Sequence, residues 1–135
     1  MAELKRSVKY EVVIGVPRDE EAASMMSTGI GIKMYTAWQR YADEFFEKTG
    51  VYVSTIAHDG AALYKTEWGC PVCGEVIITF NSTANPEFIK DLDMYEKGVL
   101  YITKKLKKEF KQHTITITKL PAEVFYLTDT DNEEE

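Results

Sequence analysis

Apolar and polar positions alternate from Val8 to Val16. Val8, Tyr10, Val12, Ile14 and Val16 fall on one face, and Lys9, Glu11 and Gly15 on the other. This is the period of a half-buried strand, and Pro17 ends it. Arg18 to Gly31 reads as a polar connection. The pattern then changes to helical: Ile30, Met34, Trp38, Tyr41 and Phe45 recur every three or four positions, Lys48 falls in the last turn and Gly50 just beyond. Val51 to Ala57 reads as a second strand. Asp59-Gly60 is either a hairpin turn or a bulge in one longer strand reaching Tyr64, and the pattern leaves both open. Trp68 to Gly74 reads as a tight loop and Glu75 to Phe80 as a β-branched strand.

Asn85-Pro86 predicts a helix start, a capping residue followed by proline at the first helical position. Leu92, Tyr95, Val99, Ile102, Leu106 and Phe110 line one face of a helix running to about Lys111, with Gly98 as its weak point. Thr114 to Thr118 alternates again, Pro121 reads as a turn, and Glu123 to Thr128 as a short last strand. The order is βαββαβ plus a short C-terminal strand. It predicts an α+β, ferredoxin-like split βαβ sandwich: an antiparallel sheet with two helices on one face. The other face keeps apolar positions such as Val13, Tyr52 and Ile56, which predicts a homodimer or higher homo-oligomer.

Composition narrows the class. With 135 residues, 44% hydrophobic and 12% aromatic, the chain suits one domain over residues 1–128 and is too apolar to stay disordered. No apolar run approaches a membrane span, and the first ten residues lack a secretory core, so the expected location is cytoplasmic. The net charge of −6 is concentrated at the end. Five of the 22 acids lie in residues 129–135, leaving 17 against 16 Lys and Arg. The tail reads as a disordered acidic end. The nearly neutral body has no field to hold a nucleic acid, and Lys104, Lys105, Lys107, Lys108 and Lys111 read as a solubilising helix face.

The chemical lead is Cys70-Pro-Val-Cys73-Gly74. Its spacing suits two thiolate ligands of one metal ion, and it resembles one knuckle of a zinc ribbon. Zinc in a structural site takes four ligands, so the resemblance implies half a site. His113, or a second copy of Cys70 and Cys73 across a dimer, would complete it; His58 lies too far along its strand. The pair could instead cycle between thiols and disulfide, although it precedes a strand and lacks the helix N-terminus that activates such thiols. The stretch from Lys107 through His113 to Phe125, a basic, aromatic, glutamine-containing turn followed by a strand, a proline and an aromatic strand, resembles the closing part of an uncharacterised family of small bacterial ferredoxin-like proteins. That resemblance implies the fold alone.

The expectation is therefore a non-enzymatic binding or assembly domain with a zinc site at Cys70, Cys73 and His113. Two alternatives stand beside it. One is a small-molecule binder or enzyme using a pocket between the sheet and the 17–31 connection, where Asp19, Glu20 and Glu21 lie. The other is a thiol/disulfide redox protein using Cys70 and Cys73.

Overall fold

The computed structural model describes residues 2–16 and 29–133. Strand β1 (Lys5–Gly15) leads to helix α1 (Gly29–Thr49). Strand β2 (Ile56–Ala62), strand β3 (Glu75–Thr83), helix α2 (Leu92–Glu109) and strand β4 (Thr116–Val124) follow. The four strands form one sheet in the order β2-β3-β1-β4, with every neighbouring pair antiparallel. This is the expected ferredoxin-like order, and Val8, Tyr10, Val12, Ile14 and Val16 are all buried as their alternation predicts.

Both helices cover the same face. Trp38 of α1 stacks on Phe80 of β3 with ring centroids 4.7 Å apart, and its indole N–H donates to the Val53 carbonyl at 3.1 Å. Tyr95 of α2 lies beside Tyr10 and shares a hydrogen bond with the buried Ser82 hydroxyl. On α2's outer side Glu96 accepts from the Tyr10 hydroxyl at 2.7 Å and pairs with Lys119 at 2.6 Å, joining the helix to β1 and β4. These two partners, Lys119 first, hold the Glu96 carboxyl below its ordinary range. Arg40 and Tyr41 of α1 both donate to Glu109 at the end of α2. The five lysines from Lys104 to Lys111 all face solvent.

Four elements differ from the sequence expectation, each for a local reason. Residues 51–55 are not a strand, because side chains take their backbone carbonyls: Trp38 takes Val53, and Ser82 takes Ser54 at 2.7 Å. Asp59-Gly60 is neither turn nor bulge. Asp59 pairs with Ile78 and Gly60 with Ile77 in an unbroken register, and Tyr35 of α1 donates to the Asp59 carboxylate at 2.9 Å. Asn85-Pro86 begins a single turn, with Asn85 Oδ1 capping the Glu87 amide; α2 starts later, capped by Asp91 on the Met94 amide. The expected turn at Pro121 and the separate C-terminal strand merge into β4. That strand lies at the sheet edge, where a proline's missing N–H need not break pairing. Residues 129–133, the described part of the acidic end, form a short 3-10 helix.

Gly98 is the point where α2 meets α1. A Cβ there would lie 2.6 Å from a Val53 methyl and 2.8 Å from the Phe45 ring. Alanine's higher helix propensity is worth only about 1 kcal/mol. Overpacking against two buried side chains costs about 1–3 kcal/mol. Gly98→Ala is therefore expected to lower stability despite the better helix former, measured as a fall in urea midpoint at unchanged slope.

Candidate active site

The end of the sheet where β1 and β2 finish and β3 and β4 begin gathers three polar side chains and a glycine from four segments. Its centre is Glu75, the first residue of β3. Alternation along β3 buries Ile78 and Phe80 under the helices, so Glu75 stands on the opposite, open face. Register brings Gly15, the last residue of β1, next to it, because Gly15 pairs with Ile77. The close approach requires glycine: a Cβ on Gly15 would lie 2.6 Å from Glu75 Oε2 and 3.3 Å from Gln112 Oε1.

Tyr64 and Gln112 complete the group. Tyr64 lies two residues past β2 and its hydroxyl donates to Glu75 Oε1 at 3.1 Å. Its own backbone amide donates to the Cys70 sulfur at 3.4 Å. Gln112 is set by the way α2 ends. Lys111 is left-handed (φ 54), the Lys111 amide bonds Lys108 and the Gln112 amide bonds Lys107. This double hydrogen bond is a helix-terminating motif that turns the chain sharply towards the sheet. The side-chain amide N–H of Gln112 donates to the Phe110 carbonyl at 3.2 Å, which leaves its oxygen on the Gly15 side.

Chemically the group is a carboxylate held by a phenol beside a second, neutral oxygen acceptor. One carboxylate oxygen is oriented by Tyr64 and the other faces the strip above Gly15. Such a site favours a cation, and a cation that donates hydrogen bonds over one that does not.

The sequence-selected residues fare differently. Cys70 is buried and Cys73 exposed, and both are free thiols. Cys73 is left-handed (φ 71) in the turn closed by the Gly74 amide on the Pro71 carbonyl. His113 is exposed, one residue past Gln112. Among the described residues no group of three or more His, Cys, Asp or Glu side chains gathers where a metal ion could be held. The expected site of Cys70, Cys73 and His113 is thus not assembled within the chain. The Cys70 sulfur turns back against the end of β2, near the Ala62 carbonyl and under the Tyr64 amide. His58 sits further down the open face, 2.9 Å from the Asn81 amide. The pocket expected beside the 17–31 connection, with Asp19, Glu20 and Glu21, falls on residues 17–28, outside the described residues.

The model of the family described as SAM lyase matches residues 5–128. The chain belongs to the SAM lyase family. Among solved structures it resembles a phage SAM lyase in complex with S-methyl-5'-thioadenosine, at 11% identity and TM-score 0.47, covering 89% of this chain and 90% of that one. It also resembles a de novo designed protein, Foldit4, at 17% identity and TM-score 0.44, over 84% of this chain and 96% of the design. A third is a PII-like signalling protein of Thermus thermophilus, at 10% identity and TM-score 0.43, over 90% and 91%. No curated protein sequence matches.

Membership of a lyase family overturns the expectation of a non-enzymatic binding or assembly domain with a structural zinc. Tyr64, Glu75, Gly15 and Gln112 were not singled out as site residues. Gly15 reads as part of a polar strand face, and Glu75 as the start of a strand after a cysteine loop. Only the fold shows that they share a place with Tyr64, eleven residues before Glu75 in the chain.

Gly15→Ala tests the geometry directly. Alanine in a strand is ordinarily favoured over glycine by about 0.5–1 kcal/mol. Here the new methyl meets the end of a flexible side chain, so the fold is expected to persist while the Glu75 carboxylate moves off Gly15 and loses Tyr64. A crystal structure of the variant with the carboxylate unmoved would refute the close approach.

Proposed function

We propose that this protein is a lyase acting on S-adenosylmethionine, with Tyr64 and Glu75 at its active site. The carrying observation is the family match over residues 5–128, which spans every strand and both helices. The hydrogen-bonded pair of Tyr64 and Glu75 supports the placement.

The substrate constrains the chemistry. It carries a sulfonium, an excellent leaving group, and a lyase releases it without water. In the step proposed, the substrate's own carboxylate oxygen bonds to Cγ of its methionine moiety as the Cγ–S bond breaks. Sulfur takes the bonding electron pair and leaves as the neutral thioether S-methyl-5'-thioadenosine. The other product is homoserine lactone, and no proton changes hands. The alternative elimination would need a base to remove a proton from a carbon next to no carbonyl, a hard task for a carboxylate. Intramolecular attack needs orientation above all, and well-oriented intramolecular reactions reach effective molarities of about 10⁵–10⁸ M. The protein's part is to bind the cationic substrate folded on itself, with Glu75 as counter-charge and Tyr64 fixing that carboxylate.

The proposal includes self-association through the open sheet face, where Val13, Ile56 and Leu120 are exposed. A light-scattering mass equal to that of one chain would remove this part.

The activity is tested by incubating the purified chain with S-adenosylmethionine and following both products by mass spectrometry. Glu75→Gln keeps the shape and removes the charge, and is expected to lower kcat/KM by about 10²–10³. Tyr64→Phe, which frees the carboxylate to rotate, is expected to lower it by about tenfold. No S-methyl-5'-thioadenosine from the wild-type chain, or full activity in Glu75→Gln, would overturn the reading.

A further inference from the structure

We infer that Gln112 is a specificity residue that, with Glu75, receives the α-ammonium group of the substrate's methionine moiety; this rests on the lyase reading above. Glu75 Oε2 and Gln112 Oε1 both lie within 3.3 Å of the point where a Cβ on Gly15 would stand. Two oxygens converging on one small region form a strong acceptor site.

The orientation of Gln112 is fixed by its surroundings. Its amide N–H is engaged by the Phe110 carbonyl at 3.2 Å, and its backbone amide by the Lys107 carbonyl at 2.9 Å. The side-chain oxygen is therefore the atom presented beside Glu75. Glu75 is held in turn by Tyr64 through its other oxygen. The site is set by four segments: the end of β1, the loop after β2, the start of β3 and the turn after α2.

The substrate has two positive groups, and only one fits. A sulfonium has no N–H and gains nothing from a neutral carbonyl except weak polar attraction. A primary ammonium has three N–H donors and can bond a carboxylate and a carbonyl together. A divalent metal ion is disfavoured, since among the described residues no group of three or more His, Cys, Asp or Glu side chains gathers where one could be held. Holding the ammonium at this place would fix one end of the chain whose carboxylate must reach Cγ.

The test compares two ligands that differ in this group. S-adenosylhomocysteine keeps the α-ammonium and has no sulfonium to react. S-methyl-5'-thioadenosine lacks the amino-acid moiety. Calorimetric titration of both into wild type and Gln112→Met, a substitution that keeps length and removes the acceptor, gives the answer. The expected result is a loss of about tenfold or more for S-adenosylhomocysteine, with S-methyl-5'-thioadenosine unchanged. The unchanged ligand also reports that the variant is folded. Equal losses for both ligands would make Gln112 a structural residue, and unchanged binding of both would remove it from the site. Either overturns the inference and leaves the lyase reading standing. A wild-type chain that binds neither ligand and releases no product would instead refute the lyase reading, and this inference with it.

Discussion

Strand β3 is held on both edges in unbroken antiparallel register, Ala62 opposite Glu75 on one side and Gly15 opposite Ile77 on the other. The site depends on that register. Side chains on a strand alternate between faces, so a slip of one residue would carry Glu75 under the helices and put Val76 in its place. The register is fixed from the buried side, where Ile78 and Phe80 are fully covered and Phe80 stacks on Trp38. Thus the apolar core decides where the carboxylate points. A polar group on the open face could not fix its own register, because water competes equally for either arrangement.

The same division of labour holds at the helix end. The α1–α2 contact is close because Gly98 lets Val53 and Phe45 approach. That contact fixes the position of α2, and its end delivers Gln112 through the left-handed Lys111. Residues at the ends of strands and in the loops beyond them carry the chemistry, and the rigid elements set where they stand.

Periodicity made the frame legible. The alternation in β1 and the helical spacing of Met34, Trp38 and Phe45, and of Tyr95, Val99 and Ile102, depend only on which face is buried, and burial is what a hydrophobic pattern records. Boundaries were harder, because polar side chains can replace the local signals. Asp59-Gly60 carries a turn signature, yet β3 offers partners along its whole length and Tyr35 engages the aspartate. Asn85-Pro86 carries a helix-start signature, but Asp91 caps the helix that persists. The site was the least legible. Its members are ordinary residues at positions 15, 64, 75 and 112, with no motif spacing, and only the sheet brings them together. Gly15 was visible as a glycine in a strand, a known mark of close backbone approach, but what approaches it comes from β3.

The cysteine loop shows how a chemical motif can mislead at this level. A pair spaced for metal binding draws attention because thiolates are strong ligands, but ligand spacing says nothing of where the sulfur points. Here the Cys70 sulfur is buried against the end of β2 and accepts the Tyr64 amide. The contact is part-buried, where a lost hydrogen bond is only partly replaced by water, so even a weak sulfur acceptor counts towards holding that backbone. The loop from Tyr64 to Gly74 has no strand partners of its own. Its shape comes from this contact, the 3-10 turn at Thr66–Trp68 and the Pro71–Gly74 turn. The phenol of Tyr64 reaches Glu75 from a backbone fixed in that way. The cysteine that looked like half a metal site therefore acts on the carboxylate through the residue between them.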